Sequence, residues 1–317
     1  MNVTRRIVIS AAAAVLAASA FGGSVGAAEK KVAIVLPGSI TDQAFNQVLY
    51  EGIVLVNKEL GLETAYSEKV KQADQSEHLE DYARRGYGLV FGAGGEFVES
   101  TKRAARRYKD TQFVCINCAK PEGVAVVGYN NHAVGYILGF VGGAMSKSGK
   151  LGIVAGQKIK PVLDIADGMR KGMKDATGGG EVLITYTNDW DDVAKAKEAA
   201  FGQVSQGADG VVPYLDNGIV GVMQGLEEKG AWGLGAITDL NNSWPKTNLV
   251  SVVQDWRQAI LHYATLYKEG KHESKNYLFS MGSKPLSLGT VNAKVSADTK
   301  AKLKQIVADM KSGKWKM

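Results

Sequence analysis

The chain has 317 residues, 38 lysines and arginines against 32 aspartates and glutamates, a formal charge of +6, and 45% hydrophobic residues. That is enough apolar material to fill two lobes of ordinary size rather than one core. The basic excess is scattered, and its densest cluster, Arg103, Arg106 and Arg107, has the spacing of one solvated helix face. Nucleic acid, which needs a basic stripe with interleaved aromatics, is not an expected partner.

In chain order, Arg5-Arg6, the Ala-rich apolar run 7–21 and the small-residue segment 22–28 follow the charged, apolar and cleavable order of a secretory signal peptide. The apolar run is too short for a stable membrane anchor. Residues 1–28 are therefore expected to be removed after Ala27 or Ala28, and no cysteine follows to take a lipid, so the expected compartment is the periplasm. Thr4-Arg-Arg leaves both Sec and twin-arginine export open.

From Lys31 short apolar runs alternate with helical periodicity. Strands are expected at 32–36, 88–91, 113–116 and 124–127, with helices over 42–59 and 97–108. The pattern then restarts, with strands at 150–155, 182–186, 210–215 and 234–237 and helices over 162–176, 192–206 and 217–229. Continuous apolar strands between amphipathic helices indicate parallel sheets covered on both faces, and two such series indicate an α/β protein of two doubly wound, Rossmann-like lobes. A strand at 249–253 and a helix over 256–269 follow, then an extended stretch 276–291 and a last helix over 296–310 opened by an N-cap Ser296. The strand–helix pair after Pro245 is expected to cross back to the first lobe. The lobes are then 29–129 with 247–280 and 130–246 with 281–317, joined by a multi-crossing hinge with a ligand cleft between them.

Enzyme templates fail. The one Gly-x-Ser-x-Gly match, 22–26, lies inside the signal segment, the first strand is followed by Pro37-Gly-Ser-Ile rather than a dinucleotide turn, and no phosphate-binding loop occurs. His78, His132, His262 and His272 are isolated, so neither a metal nor another cofactor is expected. Gly92-Ala-Gly-Gly95 reads as a strand-to-helix turn whose exposed amides also suit a ligand. Cys115 and Cys118 end a buried strand, and both a disulfide and two small buried thiols fit them. Carboxylates after strands (Asp42, Asp216, Asp239, Asp255) suit helix caps and, where several converge, ligand contacts. Phe45 and Trp190 follow strands in different lobes, so closure would bring two rings to one planar ligand, with offset stacking of roughly 0.5–1.5 kcal/mol per ring.

Thr41-Asp-Gln-Ala-Phe-Asn-Gln47 with Gly52 resembles a signature of the basic membrane protein family of ABC-transporter solute receptors, the purine nucleoside receptor group. Gly139 with Met145-Ser-Lys-Ser-Gly-Lys150, Gly168 with Lys171-Gly172, Trp190-Asp-Asp-x-x-Lys-x-Lys-Glu198, Ser251-Val-Val and Leu288-Gly match in order. The resemblance implies a type I periplasmic-binding-protein fold, no catalysis, and delivery of ligand to a membrane permease. It places the stacking rings on Phe45, beside Asn46, and on Trp190. It also implies departures: Leu36 where an acid is usual, Asn117 for the base-recognising Asp, Gln254 for a Lys, and the sugar-binding Asp on Thr238 or Asp239. Asn both donates and accepts, whereas an ionised Asp only accepts. The expected ligand set is Asp42, Phe45, Asn46, Asn117, Trp190, Asp216, Asp239 and Gln254, and the expected ligand a purine base or nucleoside bound by a monomer. A flavin-like heteroaromatic, or a ligand-loaded sensor for a membrane signalling protein, is the alternative.

Overall fold

Strands that are apolar at every position need cover on both faces, and the sheets of this chain receive it. The computed structural model describes residues 30–42 and 44–317; the signal peptide expected at 1–28 lies outside the described residues. The first half of the chain runs β1 (Lys31–Val35), α1 (Phe45–Leu60), β2 (Glu63–Ser67), α2 (Gln75–Arg84), β3 (Leu89–Ala93), α3 (Val98–Arg107), β4 (Gln112–Ile116) and β5 (Ala125–Tyr129). It continues with α4 (Asn131–Met145), β6 (Lys150–Ala155), α5 (Lys160–Thr177), β7 (Glu181–Tyr186), α6 (Val193–Ser205), β8 (Gly210–Tyr214), α7 (Gly218–Lys229) and β9 (Trp232–Gly235). β10 (Asn248–Gln254), α8 (Trp256–Lys268), β11 (Asn276–Phe279), β12 (Leu286–Val291) and α9 (Ala297–Lys311) complete it.

Two sheets result, ordered β2-β1-β3-β4-β5-β11 and β7-β6-β8-β9-β10-β12. The first is parallel throughout, and in the second only β12 is antiparallel, to β10. In the first sheet Val32, Ile34, Leu89 and Phe91 pack with Leu49, Ile53, Ile260 and Tyr263, while the alternate residues Ala33, Val35 and Val90 pack with Leu79, Tyr82, Phe97 and Ala104. In the second, Leu151 and Ile153 share the core of Ile137, Ile165 and Met169, and Val154 and Val211 face Ala196, Ala200, Val222 and Leu226. α4 meets α5 at close quarters: a Cβ at Gly139 would run into the backbone of Met169, and one at Gly168 or Gly172 into that of α4.

The strand expected at 249–253 does not return to the first lobe. β10 pairs with β9 and β12 and belongs to the second sheet, and only α8 and β11 cross back. The crossing is therefore at Asp255, after the strand, rather than at 247. β10 is buried at nearly every position and extends the parallel order of the second sheet, a pairing that no local pattern distinguishes from one with β5. Three crossings lie side by side. Asn130 N–H donates to Phe279 O (2.9 Å), Asp255 N–H to Pro285 O (2.7 Å), and Gln254 Nε2 to Asn131 Oδ1 (3.4 Å).

Candidate functional site

In doubly wound sheets the parallel strands deliver their loops to the carboxyl edge, and ligands sit beyond that edge where strand order reverses. Here the loops after β1, β3 and β4 face those after β6, β7, β8 and β9. They enclose ≈ 390 Å³ of atom-free space, outer margin included. The first lobe lines it with Pro37, Phe45, Gly94, Gly95, Glu96 and Asn117, the second with Ile159, Trp190, Tyr214, Leu215, Asp216 and Ile237.

Phe45 opens α1 and is 8% exposed. Its ring meets fully buried Trp256 edge-on (centroids 5.4 Å, 85°), and Trp256 meets Tyr129 edge-on at 4.5 Å, so one cavity wall rests on three interlocked rings. Asp42 holds the start of the helix: its carboxylate accepts from the backbone N–H of Ala44 (2.8 Å), Asn46 (2.9 Å) and Gln47 (3.0 Å). That is helix capping, and it satisfies donors the first turn leaves without partners. Trp190, after β7, lies over Gly156, where a Cβ would overlap the indole.

Two hydrogen bonds join the lobes inside the cleft. Asn46 Nδ2 donates to Asp42 Oδ2 (2.8 Å) and to Asp216 Oδ2 of the other lobe (2.8 Å), while its Oδ1 accepts from Gly38 N–H (3.0 Å). Asn117 Nδ2 donates to the Tyr214 hydroxyl (2.8 Å). Asn117 sits at φ +58°, in the left-handed region, inside the turn closed by the Cys115–Cys118 disulfide. Of the two readings open for these cysteines, the bridge is the one found. Burial raises the Tyr214 hydroxyl pKa, and burial, with Asp42 and Asp191 near, pushes the Asp216 carboxyl well above the usual carboxylate range despite Asn46. Burial also pushes Glu96 up to about 7.

Of the expected set, Phe45, Asn117, Trp190 and Asp216 line this cavity, and Asn46 stands behind it. Asp42 and Asp239 line a separate outer groove. Asp239 does not line the cavity, because its carboxylate is taken by Thr290 N–H and Oγ1 (both 2.8 Å) and Asn241 N–H (3.2 Å) within the second lobe. Gln254 does not line it either, since its amide ends β10 at the hinge, beside Asn131. Leu36 is fully buried core. Glu96, Tyr214, Ile159 and Ile237 escaped the sequence reading. The signal for Glu96 was its place at the end of a Gly-rich turn after a central strand, and for Tyr214 its place as the last residue of another.

The family model described as "ABC transporter substrate-binding protein PnrA-like" matches residues 29–311. The chain belongs to the Bmp family. Bmp proteins are substrate-binding components of ABC transporters: they bind small ligands outside the cytoplasm and work with permease components, a role in solute binding rather than catalysis. The chain is 28% identical over 280 residues to the transcriptional activator protein med of Bacillus subtilis, covering 88% of this chain and 87% of that protein. It is 23% identical over 273 residues to a purine-binding protein of Brucella abortus, covering 84% and 77%. An ABC-transporter solute-binding protein of Aeropyrum pernix shares the fold, with a TM-score of 0.79 at 19% identity over 90% of this chain and 92% of that one. Among the described residues no helix is long and apolar enough to cross a membrane, and no cluster of His, Cys, Asp or Glu is arranged for a metal ion.

Proposed function

We propose that this Bmp protein is a periplasmic receptor that captures a flat nitrogen heterocycle, a purine base or nucleoside, and hands it to an ABC permease. One observation carries the reading: Phe45 of one lobe and Trp190 of the other line a single cavity, with amide and carboxyl groups between them. Two rings from opposite lobes favour a planar guest whose edge meets polar groups, and the guest then contributes apolar contact to both lobes on closure. The purine-binding relative supports the same class.

The test is calorimetric titration with adenine, guanine, hypoxanthine and their ribosides, after native mass spectrometry for co-purified ligand. Trp190→Ala should weaken binding by about 1–3 kcal/mol with the melting temperature of the free protein nearly unchanged, whereas Phe45→Ala should weaken binding as much and also lower the melting temperature, because Phe45 packs on buried Trp256. Affinity untouched in both variants overturns the stacking, and absence of binding by any purine overturns the ligand class.

A further inference from the structure

The charge of the cavity wall is one-sided. Its acidic lining residues are Glu96 and Asp216, and no Lys, Arg or His lines it. Asp216 already commits Oδ2 to Asn46. Asn117 commits its Nδ2 to Tyr214, which leaves its Oδ1 as an acceptor. Among the described residues, Glu96 forms no ion pair and no side-chain hydrogen bond beyond one with its own N–H. Its carboxylate folds back over Gly94, whose φ of +112° and missing Cβ make the room. The wall therefore offers acceptors in excess of donors.

We infer that Glu96 is the specificity-determining residue of this site and that it reads two adjacent N–H donors on the ligand's edge, the ring N–H and exocyclic amino group of a 2-amino-6-oxopurine. The inference rests on the purine reading above. Two oxygens of one carboxylate accept two parallel N–H bonds, the bidentate, charge-assisted geometry that is stronger and more selective than a single neutral bond. Hypoxanthine offers one of the two donors. Adenine presents a ring lone pair beside its amino group, and that lone pair repels an ionised acid. A carboxylate left buried and half-paired is costly, so a purine lacking the second donor is rejected by more than the strength of the missing bond.

Proton linkage follows from the same geometry. Burial pushes the Glu96 carboxyl up to about 7, so binding two donors releases a proton below that pH. The titratable groups that face it are Tyr214 and Asp216 of the second lobe, with Asp42 beyond Asn46. Lys158 and Lys160 flank Ile159 across the cleft but are exposed, and Lys160 pairs with Asp164. The neighbouring Cys115 and Cys118 are bridged and do not titrate.

The experiment is calorimetric titration of wild type and E96Q with guanine, guanosine, hypoxanthine and inosine at pH 6 and pH 8. At pH 8 the wild type should prefer guanine to hypoxanthine, and guanosine to inosine, by about tenfold or more. E96Q should bring each pair to within about threefold while still binding hypoxanthine, which shows an intact cleft. The wild-type affinity for guanine should fall about tenfold from pH 8 to pH 6, and that fall should vanish in E96Q. If E96Q does not fold, the wild type decides alone, because its guanine preference must shrink at pH 6. A wild type indifferent to the 2-amino group, or a preference that survives E96Q or is independent of pH, overturns this assignment and leaves the purine reading standing. Failure of all four compounds to bind wild type overturns this assignment, and failure of adenine and adenosine as well overturns both.

Discussion

The two mouths of the cleft are built differently. In the first lobe the polar groups are fixed by their own lobe: Asp42 by three backbone amides, Asn46 by Gly38 and Asp42, and Asn117 by the bridged turn at left-handed φ. In the second lobe Asp216 and Tyr214 take side-chain partners from across the cleft, Asn46 and Asn117. Lobe one is thus a preset surface, and lobe two is completed by closure. A buried carboxyl without a hydrogen-bond partner is expensive, so the closed state depends on what lobe one presents.

The strongest way to break this asymmetry is Asn46→Leu, which keeps the branched shape and removes the donor to both aspartates. Leaving the buried Asp216 carboxyl without its donor costs about 1–3 kcal/mol, and the closed, ligand-bound state should lose about that much. Small-angle scattering should show a more open molecule, and titration a loss of affinity of about tenfold or more. Asp216→Ala, which removes the acceptor needing the donor, should restore part of it in the double variant. An Asn46→Leu protein that closes and binds normally refutes the latch.

Next in size is the pH dependence of the free protein. Glu96 is raised from the ordinary 4.5 to about 7, so between those values the folded state holds a proton that the unfolded state has released. Stability therefore falls as pH rises through that window and levels off above it. The drop is at most about 3 kcal/mol, with Asp216 acting in the same direction. Urea melts at pH 5, 6, 7 and 8 should show a steeper loss in wild type than in Glu96→Gln. Parallel curves for the two proteins would mean that Glu96 is not held in its neutral form by burial.

The smallest effect expected is that of the disulfide. A loop this short restrains the unfolded chain weakly, and chain entropy gives about 2 kcal/mol. Cys115→Ser with Cys118→Ser should lower the melting temperature by several degrees and free Asn117 from its left-handed turn, weakening ligand binding more than stability alone explains. Alkylation with and without reductant checks the bridge, and calorimetry of the double variant checks the positioning. Unchanged affinity would assign the bridge to stability only.

Much of the fold was legible because parallel strands buried on both faces are written as unbroken apolar runs. Val32 to Leu36 and Leu151 to Ala155 declare themselves without any knowledge of their neighbours. α4 did not, since a helix buried on nearly all sides has no polar face to set a period, and its glycines argue against helix until α5 is packed on them. α2 and the half-buried edge strand β2 were too polar to stand out. In the site, Phe45, Trp190 and Asp216 were visible as residues of suitable chemistry following strands, and Asn117 through the family resemblance. Asp239 has the same local signature, and only its capture by Thr290 removes it from the cavity.

What the sequence determined by itself is therefore most of the elements and the class of side chain at each strand end, because hydrophobic periodicity and caps act over a few residues. Only the tertiary structure decided which sheet receives β10, which carboxylates stay free, and that Glu96 faces Trp190 and Tyr214. Those outcomes depend on strand pairing and lobe closure between residues distant in sequence, where the deciding energies are partner bonds and desolvation that no local pattern records.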